Sequence, residues 1–588
     1  MREPLIVCVL AIGCVGQRHE SFDECTAGSQ RCYMGNLEVC HDGHYTLDEE
    51  CPLACNDALG CVVCNPGATT CDGVGAQICR DDGTGWDDFE CDPLQGLTCD
   101  LDTHTCNGEC LPSNLEQSNI GCNYFPTVTG NEVRSEFEFA VIISNDRGAD
   151  AQIHIEGGGL TTALTFTVPA RSVHVQKLPW VDLLKACKAT GIIECGNPQN
   201  GSALVRDGSY HLRSTQPITV YQYNPLDYGL PQMPCSSDVR DGCSYSNDAS
   251  LLLPAHTMTG NYYAAAWQNW YSRTSADFPG LVTITATRDH TSVTITPTAP
   301  TQPAADLPYM YPGQPQTIML DAGDVAQLFS RRVSTEEVDL TGTRISATEP
   351  IQVIGGHYCT ETIGMACDHM EESMLPIEVL GTKYIVTAPE AVDHGTIFTG
   401  TFHIAERYVR IVATEPDTTI TYDPPNFRLA PGQVAPTYLA NAGDVGQIMY
   451  ALFRDSVQIT ANKKVLITEY MVGGQESNIG DPAMSVAVPV EQYRTEYSFH
   501  APVNYDKNYV NIVAKSDSPV LLDGTTVTGF EPIGATGYGL VRVLLDNTGN
   551  GSHRLQSNTP FGITVYGYGA FTSYWYAGGL DLKPIVIQ

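Results

Sequence analysis

Between about Ala140 and Ala570 the chain repeats one alternation of apolar and polar positions four times. Each copy opens on a hairpin pattern: AVIISNDRGADAQIHI from Ala140, VTITATRDHTSVTITP from Val282, VRIVATEPDTTITYDP from Val409 and VNIVAKSDSPVLLDG from Val510. Each closes on a second pattern: STQPITVYQYN from Ser214, ATEPIQVIGGH from Ala347, ANKKVLITEYM from Ala461 and SNTPFGITVYGYG from Ser557. Alternate β-branched and aromatic residues, punctuated by Asp, Asn, Pro and Gly, predict half-buried strands joined by tight turns. Helical periodicity is confined to one short stretch, Val181 to Thr190. The expected class is therefore all-β: tandem antiparallel β-sandwich-like repeats, with a β-propeller-like body as the alternative.

The four repeats fall at approximately 125–245, 246–372, 373–484 and 485–588 of a β region spanning 125–588. Two of them carry a further motif, Asp321-Ala322-Gly323-Asp324 and Asn441-Ala442-Gly443-Asp444, in which Gly before Asp suits a tight turn. Calcium-loop spacing is absent there, so turn chemistry is the expectation.

Upstream the pattern changes to cysteines. Cys25, Cys32, Cys40, Cys51, Cys55 and Cys61 are answered by Cys64, Cys71, Cys79, Cys91, Cys99 and Cys106, and CTAGSQRCYMGNLEVC by CNPGATTCDGVGAQIC. Two small modules follow, 20–63 and 64–122, the second including a junction closed by Cys110 and Cys122. Modules of this size bury too little apolar surface to fold unaided, and three disulfides each, at about 2–4 kcal/mol apiece, supply the missing stability. The spacing does not choose among the possible pairings. The Cys61-Val62-Val63-Cys64 spacing admits zinc as a competing reading, but the second module has no matching pair.

Charge narrows the partners. With 67 acidic against 31 basic residues the chain carries a formal charge of -36, so a nucleic acid is excluded as a natural partner. The opening MREPLIVCVLAIGC has the form of an export signal, residues 1–14, ending in a lipoprotein-type box with Cys14 as the expected lipid attachment site. Membrane association is expected only through that anchor, and the location at the cell surface or outer membrane as a lipoprotein, otherwise secreted. The many cysteines agree with an oxidising compartment.

In the β region six cysteines form three pairs of equal spacing, Cys187 with Cys195, Cys235 with Cys243 and Cys359 with Cys367, expected as local loop staples. The third pair sits beside His357, Asp368, His369, Glu371 and Glu372, the strongest candidate binding loop. Histidine with carboxylates also suits a metal-dependent hydrolase, but no HEXXH, GXSXG, Walker or dinucleotide motif is present. No residue is assigned as catalytic or as a metal ligand, and no cofactor is expected. Tyr262, Tyr263, Trp267, Trp270 and Tyr271, with Tyr566, Tyr568, Phe571, Tyr574, Trp575 and Tyr576, are alternative sugar-stacking platforms.

The strings SNDASLLLPAHTMTGNYYAAAW from Ser246, PIQVIGGHYC from Pro350 and CDHMEESMLPIEVLGTKYIV from Cys367 resemble the IgGFc-binding protein N-terminal domain family, over about 130 to 580. The cysteine modules loosely resemble repeats that precede larger domains in exported bacterial proteins. The resemblance implies extracellular binding; it does not carry immunoglobulin binding with it. The expected function is adhesion to an extracellular protein or glycan through loops on a β scaffold, without enzymatic activity, and carbohydrate binding on aromatic platforms is the alternative.

Overall fold

The alternating segments form strands that pair in one order, four times over. The computed structural model describes residues 25–586 apart from 72–74, 90, 101, 104, 189–197, 237–241, 272–276, 334–336, 361–367, 391–406, 451–453 and 473–479. The export signal and Cys14 lie outside the described residues, as do Cys195 and Cys367. The chain divides into two compact units, 1–92 with 97–108 and 93–96 with 109–588.

In the first unit the two modules share one disulfide pattern. Cys25–Cys40, Cys32–Cys55 and Cys51–Cys61 are matched by Cys64–Cys79, Cys71–Cys99 and Cys91–Cys106, so each module bonds first to third, second to fifth and fourth to sixth. Oxidation divides Cys61 and Cys64 between modules, which removes the zinc reading. Each module is built on a short three-stranded sheet, Gln30–Tyr33, Asn36–His41 and His44–Glu49 in one and Thr69–Cys71, Ala76–Cys79 and Trp86–Phe89 in the other.

The second unit contains four sandwiches of two sheets each. In the first sandwich the outer sheet runs Leu164–Val168, Ala151–Gly157, Tyr210–Tyr223, Gly121–Tyr124 and the inner sheet Ser172–Leu178, Phe139–Asn145, Tyr210–Tyr223, Ala249–Leu251. One long strand serves both sheets: its first half pairs with Ala151–Gly157 and its second with Phe139–Asn145. Pro217 lies at the switch, where the ladder is broken anyway and no amide is needed; Pro350 and Pro560 hold the same place in the second and fourth copies. The last copy again uses one strand, Ser552–Gly569, for both sheets, whereas the middle two divide it into Arg344–Ala347 with Ile351–Thr360 and Val457–Ala461 with Val465–Met471.

Outer strands alternate as the sequence predicts. Thr291, Val293 and Ile295 are buried while the residues between them are half-exposed. Inner strands such as Gly280–Ala286 and Arg407–Ala413 are buried on both faces, because one face meets its own sandwich core and the other meets a neighbouring sandwich. Val141, Ile143, Ile153, Ile155, Leu212 and Val220 make the core of the first sandwich and Val409, Ile411, Ile459 and Ile467 that of the third.

The sandwiches close into a ring. Their innermost strands, Ala249–Leu251, Asp368–Ser373, Met484–Val486 and Thr572–Ala577, pack in that order around a shared axis, the last against the first. The first and last segments tie the ring: Leu582 N donates to Gln117 O at 2.7 Å and Leu580 N to the Asn119 side-chain oxygen at 3.0 Å. The arrangement thus has the radial closure of a propeller with a sandwich in the place of each blade. A strand from the first sandwich, Ala203–Val205, extends the inner sheet of the second. The helix expected at 181–190 is shorter, Asp182–Lys185.

The repeated Gly-Asp motif is turn chemistry. Gly323 and Gly443 take φ of 84° and 86°, and the following aspartate accepts the amide two residues before the glycine, Asp321 N at 2.9 Å and Asn441 N at 2.8 Å.

Candidate functional site

His357, Asp368, His369, Glu371 and Glu372 do come together, but inside the ring and on strands. His357 belongs to Ile351–Thr360 and the other four to its neighbour Asp368–Ser373, and all five are buried. These residues lie on strands where a binding loop was expected. A sequence reading places Asp, Glu and His in water; here His369, Glu371 and Glu372 meet Asn224, Gln222 and Ser250 of the first sandwich.

At the centre stands Asp248, which the sequence did not single out. It is fully buried and its carboxylate accepts four main-chain amides: Ala249 at 2.9 Å, Glu371 at 3.1 Å, Met484 at 3.1 Å and Trp575 at 3.3 Å. The last three belong to the innermost strands of the other three sandwiches. Burial pushes the Asp248 carboxyl well above the ordinary carboxylate range, while the surrounding amides pull it back.

Around this hub several polar groups are hydrogen-bonded to one another. Thr129 Oγ1 donates to Glu371 Oε2 at 2.6 Å, Gln222 Nε2 donates to Glu371 Oε1 at 3.0 Å, and Asn224 Nδ2 lies 3.0 Å from His369 Nε2. Ser250 Oγ donates to Glu372 Oε1 at 2.9 Å. The second Glu372 oxygen has no partner, and burial raises this carboxyl to about 8.

His357 is fixed as a neutral ring. The Cys359 amide donates to Nδ1 at 3.1 Å, which leaves Nε2 to donate to the Gln268 carbonyl at 3.1 Å, and burial lowers its pKa to about 3. With its lone pair engaged, this imidazole is placed neither as a base nor as a metal ligand. Among the described residues no three His, Cys, Asp or Glu side chains are gathered as a metal-binding set.

The aromatic platforms are corrected as well. Tyr262, Tyr263, Trp267, Tyr566, Tyr568, Phe571, Tyr574, Trp575 and Tyr576 are all buried, packing in pairs such as Tyr574 with Tyr505 at 4.8 Å. Trp270, half-buried, stacks on Phe278 at 4.9 Å. Period-two aromatics here are core, and no sugar can stack on the buried rings.

Of the three cysteine pairs, Cys235–Cys243 is bonded. Cys187 and Cys359 are each disulfide-bonded, and Cys195 and Cys367 lie outside the described residues.

A signal for the axis was present in the sequence. Ser246 to Pro254, Asp368 to Pro376 and Asp481 to Pro489 share one spacing, and each proline opens a short 3-10 turn, Ala255–Thr257, Ile377–Val379 and Val490–Gln492. That repeat marks the innermost strand in three copies.

Comparison with known proteins identifies the family. The family described as IgGFc binding protein matches residues 248–567, from the axial aspartate to the long strand of the fourth sandwich. A stretch of 77 residues is 36% identical to the human (Homo sapiens) IgGFc-binding protein, covering 13% of this chain and 1% of that relative's length. With more than half of its residues matched, the chain belongs to the IgGFc-binding protein family.

Proposed function

We propose that this chain is an exported binding protein that engages an extracellular macromolecule, a protein in the first place, through loops on one rim of the sandwich ring. The reading includes attachment at the cell surface by a lipid on Cys14. The observation that carries it is where the loops leave the scaffold.

In every sandwich the start of the central inner strand lies opposite the end of the long strand, with Ala140 facing Tyr223, Gly280 facing His357, Arg407 facing Met471 and Lys507 facing Tyr568. Loops entering the first of these strands and leaving the second therefore share one end. The edge strand Ser172–Leu178 finishes there too, with Leu178 opposite Phe139. The other three sandwiches present the same end on the same side, because the Glu371, Met484 and Trp575 amides all meet Asp248. Cys187 and the Cys235–Cys243 bridge lie in segments of this rim, and Cys359 at the strand end beneath it. A rigid ring with its ionisable chemistry sealed inside offers its surroundings shape and loops, which is how binding scaffolds carry specificity.

The disulfides of the first unit support an oxidising compartment. Among the described residues no helix is long and apolar enough to cross a membrane. Family membership supports binding as the activity, and the human relative's name supplies the first ligand to test, the Fc fragment of immunoglobulin G.

The test uses the full chain, immobilised and exposed to Fc fragment and to a panel of extracellular proteins and polysaccharides. Alanine substitutions across 188–195, 235–241 and 361–367, with the cysteines and the buried Asp368 and His369 left in place, should abolish binding of any ligand found. Substitutions in the opposite turns, at Asp289 and Asp417, should leave it intact. Equal binding by both sets would remove the rim assignment, and an unmodified Cys14 in intact mass would remove the anchor.

A further inference from the structure

Two other carboxylates at the axis are not accounted for by the hub. Asp368 opens the innermost strand of the second sandwich and is fully buried, and neither of its oxygens completes a hydrogen bond. The Asn247 and His369 amides are near enough to temper its charge, while Asp481 and Asp248 repel it. Asp481 holds the corresponding place in the third sandwich; it is 4% exposed, its amide donates to Ser573 Oγ at 2.9 Å, and its Oδ2 is without a partner. Among the described residues neither aspartate forms an ion pair with Lys, Arg or His.

The fourth sandwich has a neutral oxygen at the equivalent position, three residues before the amide that meets Asp248, as Asp368 and Asp481 are in theirs. Thr572, beside Ser573 in the fourth, is fully buried and its Oγ1 has no partner. Tyr505 links the groups: it approaches the Thr572 hydroxyl, it feels the charge of Asp368, and its own Oη is unpartnered. Here unpartnered buried oxygens stand at equivalent positions of three adjacent repeats.

We propose that Asp368, Asp481 and Thr572 hold a calcium ion on the ring axis, which fastens the second, third and fourth sandwiches together. Two carboxylates supply the counter-charge that no basic side chain provides, and the donors are all hard oxygens with no imidazole or thiolate among them. Two carboxylates fall short of a full cage, so main-chain carbonyls or water complete the six to eight oxygens that calcium takes. Zinc is disfavoured by the same donor set.

The test is made on the full-length protein, equilibrated with calcium and desalted at moderate ionic strength. Elemental analysis should return about one calcium per chain. EDTA should lower the melting temperature and calcium restore it with that stoichiometry. Asp368→Asn with Asp481→Asn should lose both the retained calcium and the response to EDTA, and Thr572→Val should weaken calcium binding by about tenfold or more. If the double variant does not fold, Thr572→Val and the wild-type calcium titration decide the question alone. No retained calcium with a melting temperature indifferent to EDTA overturns the site. Calcium kept equally by the variants, and displaced by salt, overturns it too, because it would belong to the acidic surface.

Discussion

Asp248 accepts the main-chain amide of Trp575 at 3.3 Å, joining the innermost strand of the first sandwich to that of the fourth, 327 residues later in the chain. The same carboxylate takes the amides of Glu371 and Met484, so one side chain of the first sandwich is hydrogen-bonded to all three of the others. Replacing it by alanine leaves these amides buried without acceptors, at about 1–3 kcal/mol each. Asp248→Ala is therefore expected to lose at least about 3 kcal/mol of stability in denaturant unfolding. Asp248→Asn keeps the volume but turns an NH2 toward amides that need an acceptor, and should recover only part of the loss.

The junction between the second and third sandwiches rests on a different device. The Arg410 guanidinium lies 3.8 Å from the Trp267 ring centre and donates to Asp339 Oδ2 at 2.7 Å and to the Ala266 carbonyl at 3.0 Å. The planar guanidinium lays its face on the ring while in-plane donors reach outward, Nη1 to these acceptors and Nε to Gln447 Oε1 at 3.0 Å; an ammonium has no such face to stack. Arg410→Ala should destabilise the protein by about 3–5 kcal/mol, since it also strands a partly buried carboxylate. Arg410→Lys should recover less than half of this, measured in the same unfolding experiment. A full recovery by lysine would show that charge alone matters.

Stability should pass through a maximum in mildly acidic solution. Burial raises Glu372 and Glu469 from 4.5 to about 8, so their contribution is complete below pH 4.5 and is lost as pH rises toward 8. Burial lowers His357 and His500 from 6.5 to about 3, so theirs is complete above pH 6.5 and is lost as pH falls toward 3. For these four groups the two trends oppose each other between pH 4.5 and 6.5, which places the maximum of their joint contribution there. Melting curves across pH 3–9 check this, and Glu469→Gln should flatten the alkaline limb while leaving the acid limb unchanged.

The strands of the outer sheets were legible because one face meets water. Val293 and Ile295 point inward between polar neighbours, and the period of two follows. The innermost strands were not legible on the same terms. Asp368–Ser373 reads as a solvated loop by composition, yet it is buried throughout, because what covers it is another sandwich more than a hundred residues away. Local pattern records the contacts a strand makes within its own repeat and is silent about those it makes across an axis. Only the repeated spacing to Pro254, Pro376 and Pro489 carried that information. The cysteine pairings were closed to reading for a related reason: six thiols in a small module are all within reach, and geometry alone selects.

That geometry can be tested directly. Cys71–Cys99 spans 28 residues, the longest separation among the described bridges, and ties the three-stranded sheet of the second module to the hairpin Thr98–Asp100 with Thr105–Asn107. Its loss removes about 3–4 kcal/mol from a module with almost no apolar core. The variant Cys71→Ser with Cys99→Ser should be cleaved by protease between 64 and 108 under conditions where the parent is resistant. The sandwich unit has its own hydrophobic cores, and it should survive as one fragment with an unchanged melting temperature. Cleavage that spreads into 109–588 would show that the ring depends on the cysteine modules for its stability.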